Sequence, residues 1–339
     1  MKTIKYILFL LLIIIIGVSI YIAVQPNEYS VTRTRTITAP SQVIYKHAID
    51  FNTWNTWFPW VEKNSETKMV ATDSSSNMGQ TYSWKTNDKK GSIKTVESIP
   101  YQSIEQTLIL NDMAPSNVIW EFKQNSAKET EVSWTLAADN LSFYEKGLAI
   151  LNGSYEKILG PDLERGLHEL ERVVLAAMDV YSIKIDGIAQ HGGGFYIYTT
   201  TSSKISDLQT TINKVMPRVK SYAIKNNIAM AGAPYINYHK WDEVNNAVMF
   251  SFCIPTTTEV TTTQSDILTG QFEPFKAVKT TLKGNYTNLK EAWDKTNAYL
   301  KQYNLEASEN GPMLEVYLTE PSQKPNPANW ITEIYIAIN

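Results

Sequence analysis

The chain has 339 residues, 43% of them hydrophobic and 11% aromatic, which suffices for at least one full core and, by length, two. Lys and Arg number 31 against 34 Asp and Glu, for a formal net charge of -3, and no basic block lies beyond the extreme N-terminus. That excludes a nucleic-acid-binding stripe, and the single cysteine, Cys253, excludes an intrachain disulfide framework or a cysteine-based metal cluster.

Residues 1–27 form the first element. After MKTIK, the run YILFLLLIIIIGVSIYIAV, residues 6–24, contains 19 residues without a charge, close to the roughly 20 that a helix needs to cross a bilayer. A cleaved signal peptide has a shorter apolar region, about 7 to 15 residues. It also needs a small-x-small site, and here the best candidate, Ala23, has Tyr21 two positions before it. The run therefore reads as an uncleaved membrane anchor. Lys2 and Lys5 precede it and QPNE follows, so the positive-inside rule places the N-terminus in the cytoplasm and the rest outside, on the periplasmic face in a bacterium. Arg33 and Arg35 pull the other way.

Residues 28–177 open with YSVTRTRTITAP, an alternating strand, and SQVIYKHAID, a short helix begun by Ser41 after Pro40. MGQTYSWKTN, GSIKTVESIP, YQSIEQTLIL, SNVIWEFKQN and TEVSWTLAAD then read as a meander of antiparallel strands. The segment closes on ILGPDLERGLHELERVVLAAM, a helix in which Leu163, Leu167, Leu170 and Val174 make one apolar stripe that a curved sheet can wrap. ITAP, DFNTWNTWFPW and LERGLHELERVV, in this order, resemble the START-like, polyketide-cyclase-like helix-grip family. That resemblance implies a cavity between sheet and helix that holds apolar ligands in many members. Trp54, Trp57 and Trp60, with Trp84, Trp120 and Trp134 from the strands, either line such a cavity or fill the corner between helix and sheet. Trp57, Trp60, Trp84, Trp120 and Trp134 are the candidate cavity residues.

Residues 178–339 contain a pseudo-repeat. SDLQTTINKVMPRVKSYAIKNN, IAMAGAPYINYHKWD and AVMFSFCIP are matched by YTNLKEAWDKTNAYLKQYN, LEASENGPMLEVYLTEP and ITEIYIAIN. Pro234 and Pro312 fall at corresponding positions, so each copy reads strand, helix, strand, strand. Two such units pair into one sheet with helices on one face and a concave groove on the other, and the fold class is α+β. The polar run TTTEVTTTQSD, residues 256–266, joins the copies, and His191 followed by Gly192, Gly193 and Gly194 reads as a turn.

AGAPYINYHKWD, KGNYTNLKEAWDKTNAYL, GPMLEVYLTEP and PANWITEIYIAI resemble the GyrI-like family, the effector-binding domain also found in AraC-type and MerR-type activators. The resemblance implies a groove for bulky cationic or amphipathic molecules, with a glutamate of the LEVYLTEP strand meeting the ligand's charge. Glu315 stands there. Alternation aims Leu314, Val316 and Leu318 at the helices and Glu315 and Tyr317 at the groove. In the last strand Ile334, Ile336 and Ile338 take the helix side, leaving Glu333 and Tyr335 in the groove with Trp330 at its entrance. Tyr238 and Phe252 form the opposite wall, and Asn237 aligns with Glu315. The alternative for Glu315 is a solvated charge on an exposed strand face.

The expected partner is a small amphipathic or cationic molecule, and the expected role is sensing or sequestration. An enzyme reading has Glu315 activating water while Tyr317 or Tyr335 donates a proton, as in GyrI-like hydrolases of small electrophilic compounds. A transcription-type effector role would need a partner, since the chain has no helix-turn-helix. His47, His168, His191 and His239 share no ligand spacing, and neither a metal nor another cofactor is expected.

Overall fold

The computed structural model describes residues 2–61, 66–68, 79–85, 90–111, 113–319 and 321–339. Met78, Thr86 and Asn87 of the first expected meander strand, and Glu320, lie outside the described residues. The chain divides into two compact units, Met1–Ala177 and Met178–Asn339.

In the first unit the N-terminal apolar run is one helix, α1 (Lys2–Ala23), long and apolar enough to cross a membrane. There follow β1 (Tyr29–Ile37), α2 (Ser41–Ile49), a 3-10 turn (Phe51–Thr56), β2 (Glu66–Lys68), β3 (Thr81–Lys85), β4 (Lys90–Ile99), β5 (Ser103–Leu110), β6 (Ser116–Ser126), β7 (Glu129–Ala138), α3 (Phe143–Asn152) and α4 (Tyr155–Met178). The strands form one antiparallel sheet in the order β1-β7-β6-β5-β4-β3-β2, with β1 returning to pair along its full length with β7. Alternation explains the register: β7 buries every second residue, including Val132, Trp134 and Leu136. Leu163, Leu167, Leu170 and Val174 of α4 are all buried, so the expected stripe is the face that the sheet wraps. Close approach depends on a missing side chain, because a Cβ on Gly166 would lie 2.5 Å from Trp134 and 3.1 Å from Pro59. Arg33 and Arg35 of β1 are engaged by α4: Arg33 pairs with Glu156 and Glu164, Arg35 with Glu171.

The second unit comprises β8 (Ser182–His191), β9 (Gly194–Lys204), α5 (Leu208–Lys225), β10 (Tyr235–Asp242), β11 (Ala247–Thr256), β12 (Leu268–Phe272), β13 (Phe275–Lys283), α6 (Leu289–Gln302), β14 (Met313–Tyr317) and β15 (Ile331–Ala337). The duplicated strand, helix, strand, strand pattern is present as β9-α5-β10-β11 and β13-α6-β14-β15. All eight strands join one antiparallel sheet, ordered β12-β9-β11-β10-β14-β15-β13-β8, whose centre is the β10–β14 pair. Each half also has a leading strand, β8 or β12, which the sequence pattern did not show. Each leading strand adds to the edge of the other half: β8 pairs with β13, and β12 with β9. The glycine turn after His191 allows this exchange. Gly193 has φ 69°, and a Cβ there would lie 2.2 Å from the carbonyl oxygen of Phe272, so only glycine fits the crossing.

Helices α5 and α6 cover one face. Beneath α5 lie Ile236, Tyr238, Phe250 and Phe252; beneath α6 lie Val278, Leu282, Ile334 and Ile336; Trp293 and Met313 touch both groups at the seam. The opposite face is not an empty groove. Tyr235, Cys253 and Leu314 are buried there against Tyr196, Tyr198, Phe272, Phe275, Val316 and Tyr335.

Candidate functional site

Face assignment decides the site. In the β14–β15 register Glu315 lies opposite Ile334, and in the β10–β14 register it lies opposite Ile236, both residues of the helix-covered face. Glu315 and Tyr317 therefore point between α5 and α6, whereas Leu314 and Val316 pack into the aromatic layer on the other side. This reverses the orientation expected from alternation alone. Leu318 is a further correction: β14 ends at Tyr317, and Leu318 is exposed. The alignment of Asn237 with Glu315 also fails, because Asn237 pairs with Leu314 and shares its face.

The Glu315 carboxylate is buried, with the residue only 3% exposed. Three neutral donors hold it. The Trp293 indole N–H donates to Oε2 at 2.8 Å, the Tyr238 hydroxyl to Oε2 at 3.4 Å, and the Tyr317 hydroxyl to Oε1. No Lys or Arg among the described residues forms an ion pair with it. Burial pushes its pKa up, and the bonds from Trp293, Tyr317 and Tyr238 pull part of the way back. The Tyr238 and Tyr317 hydroxyls are in turn held far above their ordinary range, first by burial and then by the adjacent carboxylate, so both stay protonated donors.

Rings surround the carboxylate. Tyr238 meets Trp293 edge to face at 5.6 Å, with Trp241 beyond it at 5.8 Å. On the other side Tyr317 meets Tyr286 at 5.3 Å, and Tyr286 lies 4.6 Å from Trp330, whose indole N–H donates to the Lys324 carbonyl. The half-exposed Trp330 thus begins a series of rings that ends at Glu315.

The remaining candidates separate from this cluster. Glu333 and Tyr335 lie on the opposite face, where Glu333 accepts from Lys279 at 2.7 Å and from the Tyr335 hydroxyl at 2.7 Å, with His191 against the Tyr335 ring. Their expected meeting with Glu315 does not occur, since one strand step reverses the face. Phe252 shares the cross-sheet row of Glu315 but stands two strands away, fully buried beneath α5, and is a packing residue. Trp293 and Tyr286 were not among the expected site residues. The sequence carried a signal for Trp293: it falls on the stripe Leu289, Trp293, Thr296, Leu300, and a buried indole N–H requires an acceptor. Among the described residues, no cluster of three His, Cys, Asp or Glu side chains could hold a metal.

In the first unit the tryptophans fill space. Trp120 stacks on Trp134 at 4.2 Å, Trp57 abuts both, and Trp84 packs on Phe58 and Trp60. Trp57, Trp84, Trp120 and Trp134 are core, as is Trp54. A cavity of about 220 Å³ does exist, but further along α4, and of these candidates only Trp60 lines it, with Tyr29, Glu145, Leu148, Tyr155 and Asp162 among the other walls.

These features define a mixed helix and sheet protein of two units, each built on one antiparallel sheet. Residues 195–339 match the model of the GyrI-like small molecule binding domain. Among solved structures, the EcmrR C-terminal domain is similar at 16% identity, covering 47% of this chain and 98% of that one with a TM-score of 0.40. Zhui aromatase/cyclase from Streptomyces sp. R1128 is similar at 12% identity, covering 45% and 97% with a TM-score of 0.37. SAV2435 bound to tetraphenylphosphonium is similar at 14% identity, covering 47% and 94% with a TM-score of 0.33. No curated protein matches the chain.

Proposed function

We propose that the chain is a membrane-anchored binding protein whose second unit takes a lipophilic or amphipathic cation between α5 and α6, with Glu315 as the counter-charge. One observation supports this above the others: a buried carboxylate is held by three neutral donors without a basic partner among the described residues. An unpaired buried charge is costly, and a cation delivered with its own apolar surface offsets that cost. Aromatic faces add cation–π attraction of roughly 0.5 to 2 kcal/mol. Trp293, Tyr238 and Tyr317 orient the carboxylate, and Tyr286 and Trp330 form the way in. The anchor is α1, with the positive-inside rule applied to Lys2 and Lys5 placing both units on the exported side. Binding is favoured over hydrolysis because both carboxylate oxygens of Glu315 already accept hydrogen bonds, leaving it better suited to attract charge than to activate water.

The test is titration calorimetry of the full chain in detergent with tetraphenylphosphonium, a delocalised apolar cation. Glu315→Gln should weaken binding at least about tenfold, equivalent to about 1.4 kcal/mol. Equal affinity in the two proteins would reject the role of the carboxylate. Turnover of an electrophilic ester that depends on Glu315 would favour the hydrolase instead.

A further inference from the structure

We propose that α3 is a membrane-docking helix that lies in the bilayer interface beside the emerging end of α1, an inference that rests on α1 spanning the membrane. α3 opens with a reciprocal capping box between Ser142 and Glu145, so its short length is well defined. Its two faces differ in kind. Glu145 is buried, and with Leu148, Ala149 and Asn152 it lines the cavity of the first unit. At 100° per residue, Phe143, Tyr144, Ile150 and Leu151 fall on the opposite arc, and they are 52%, 69%, 36% and 84% exposed. Large apolar side chains at that exposure, gathered on one arc, are a docking face rather than scattered surface residues.

The position of α1 identifies what covers that face. Gly147 lies in the middle of the apolar arc, and the Ile22 side chain of α1 lies 3.7 Å from where its Cβ would be. The Lys146 ammonium donates to the carbonyl of Ala23, the last residue of α1, at 3.2 Å. The apolar arc is therefore level with the last turn of the span, where a transmembrane helix leaves the hydrocarbon. Side chains at that depth that α1 leaves exposed meet the headgroup and upper acyl region, and the aromatic pair Phe143 and Tyr144 suits that layer. The occupant is the bilayer itself. In that position the cavity lies one helix thickness from the membrane, behind α3.

The test uses the full chain in phosphatidylcholine–phosphatidylglycerol vesicles, labelled with an environment-sensitive fluorophore at Leu151→Cys or Tyr144→Cys. Native Cys253 is buried and burial pushes its thiol up, so maleimide reacts at the introduced site. Exposed Val244→Cys is the aqueous control and Ile13→Cys the marker for the span. Docking predicts loss of emission at residues 144 and 151 with shallow nitroxide lipid, none at 244, and quenching at 13 by deep nitroxide lipid. Quenching at 13 without quenching at 144 and 151 overturns docking while α1 still spans. A blue shift at 151 without lipid quenching means that protein covers the arc, and this also overturns it. No quenching at 13 removes the span and the docking together.

Discussion

Glu315 is an acidic side chain buried under α5 and α6, and its pH behaviour follows from that burial. Its folded-state pKa is raised above the ordinary 4.5, so the native protein holds this proton more tightly than the unfolded chain does. The associated stability is complete below pH 4.5 and is lost as pH rises through the folded-state value. Glu315→Gln should remove that decline, as read from urea unfolding midpoints at increasing pH. Cation binding should show the opposite trend, strengthening as pH rises through the same value in the native protein and staying flat in the Gln variant. Trp293→Phe keeps a ring but deletes the shorter of the two hydrogen bonds donated to Oε2. A hydrogen bond to the charged form holds the carboxylate's pKa down, so without it the pH midpoint of cation binding should move upward. An unmoved midpoint would mean that Trp293 only packs.

At the scale of elements, the helix-grip depends on α4 lying close against the tryptophan-rich sheet. Gly166→Ala places a methyl group into Trp134 and Pro59, and overpacking of this sort costs about 1 to 3 kcal/mol. Thermal unfolding of the first unit should fall accordingly. Gly147→Ala in α3 makes only an ordinary contact with Ile22, so it should leave the melting temperature unchanged or slightly raised, alanine being favoured over glycine in a helix by roughly 0.5 to 1 kcal/mol. The two substitutions together separate steric demand from helix propensity. Much at this scale was legible from period alone: the α4 stripe, the meander and the duplicated strand, helix, strand, strand pattern all appear as read. The leading strands β8 and β12 were not, because strand exchange between halves is a long-range pairing that leaves no local mark beyond the glycine turn at 192–194.

At the scale of the whole molecule, two units with separate cores should respond separately to a ligand. Tetraphenylphosphonium at one hundred times its dissociation constant should stabilise the second unit by about 2.7 kcal/mol and leave the unfolding of the first unit in place, as scanning calorimetry would show. A shift of both transitions would place a binding site in each unit.

The sequence by itself determined the composition of each element, the modular order, the apolar N-terminal helix and the presence of one acidic residue inside an apolar strand. Only the tertiary structure decided which way that residue faces. A period-two pattern defines two faces but does not say which is covered when apolar side chains occupy both. Here Leu314 and Val316 meet an aromatic layer of Tyr196, Tyr235 and Phe272, so their apolarity did not mark the helix side. The choice was made by register: pairing with Ile236 and Ile334 turned Glu315 under α5 and α6, where Trp293 supplies its hydrogen bond.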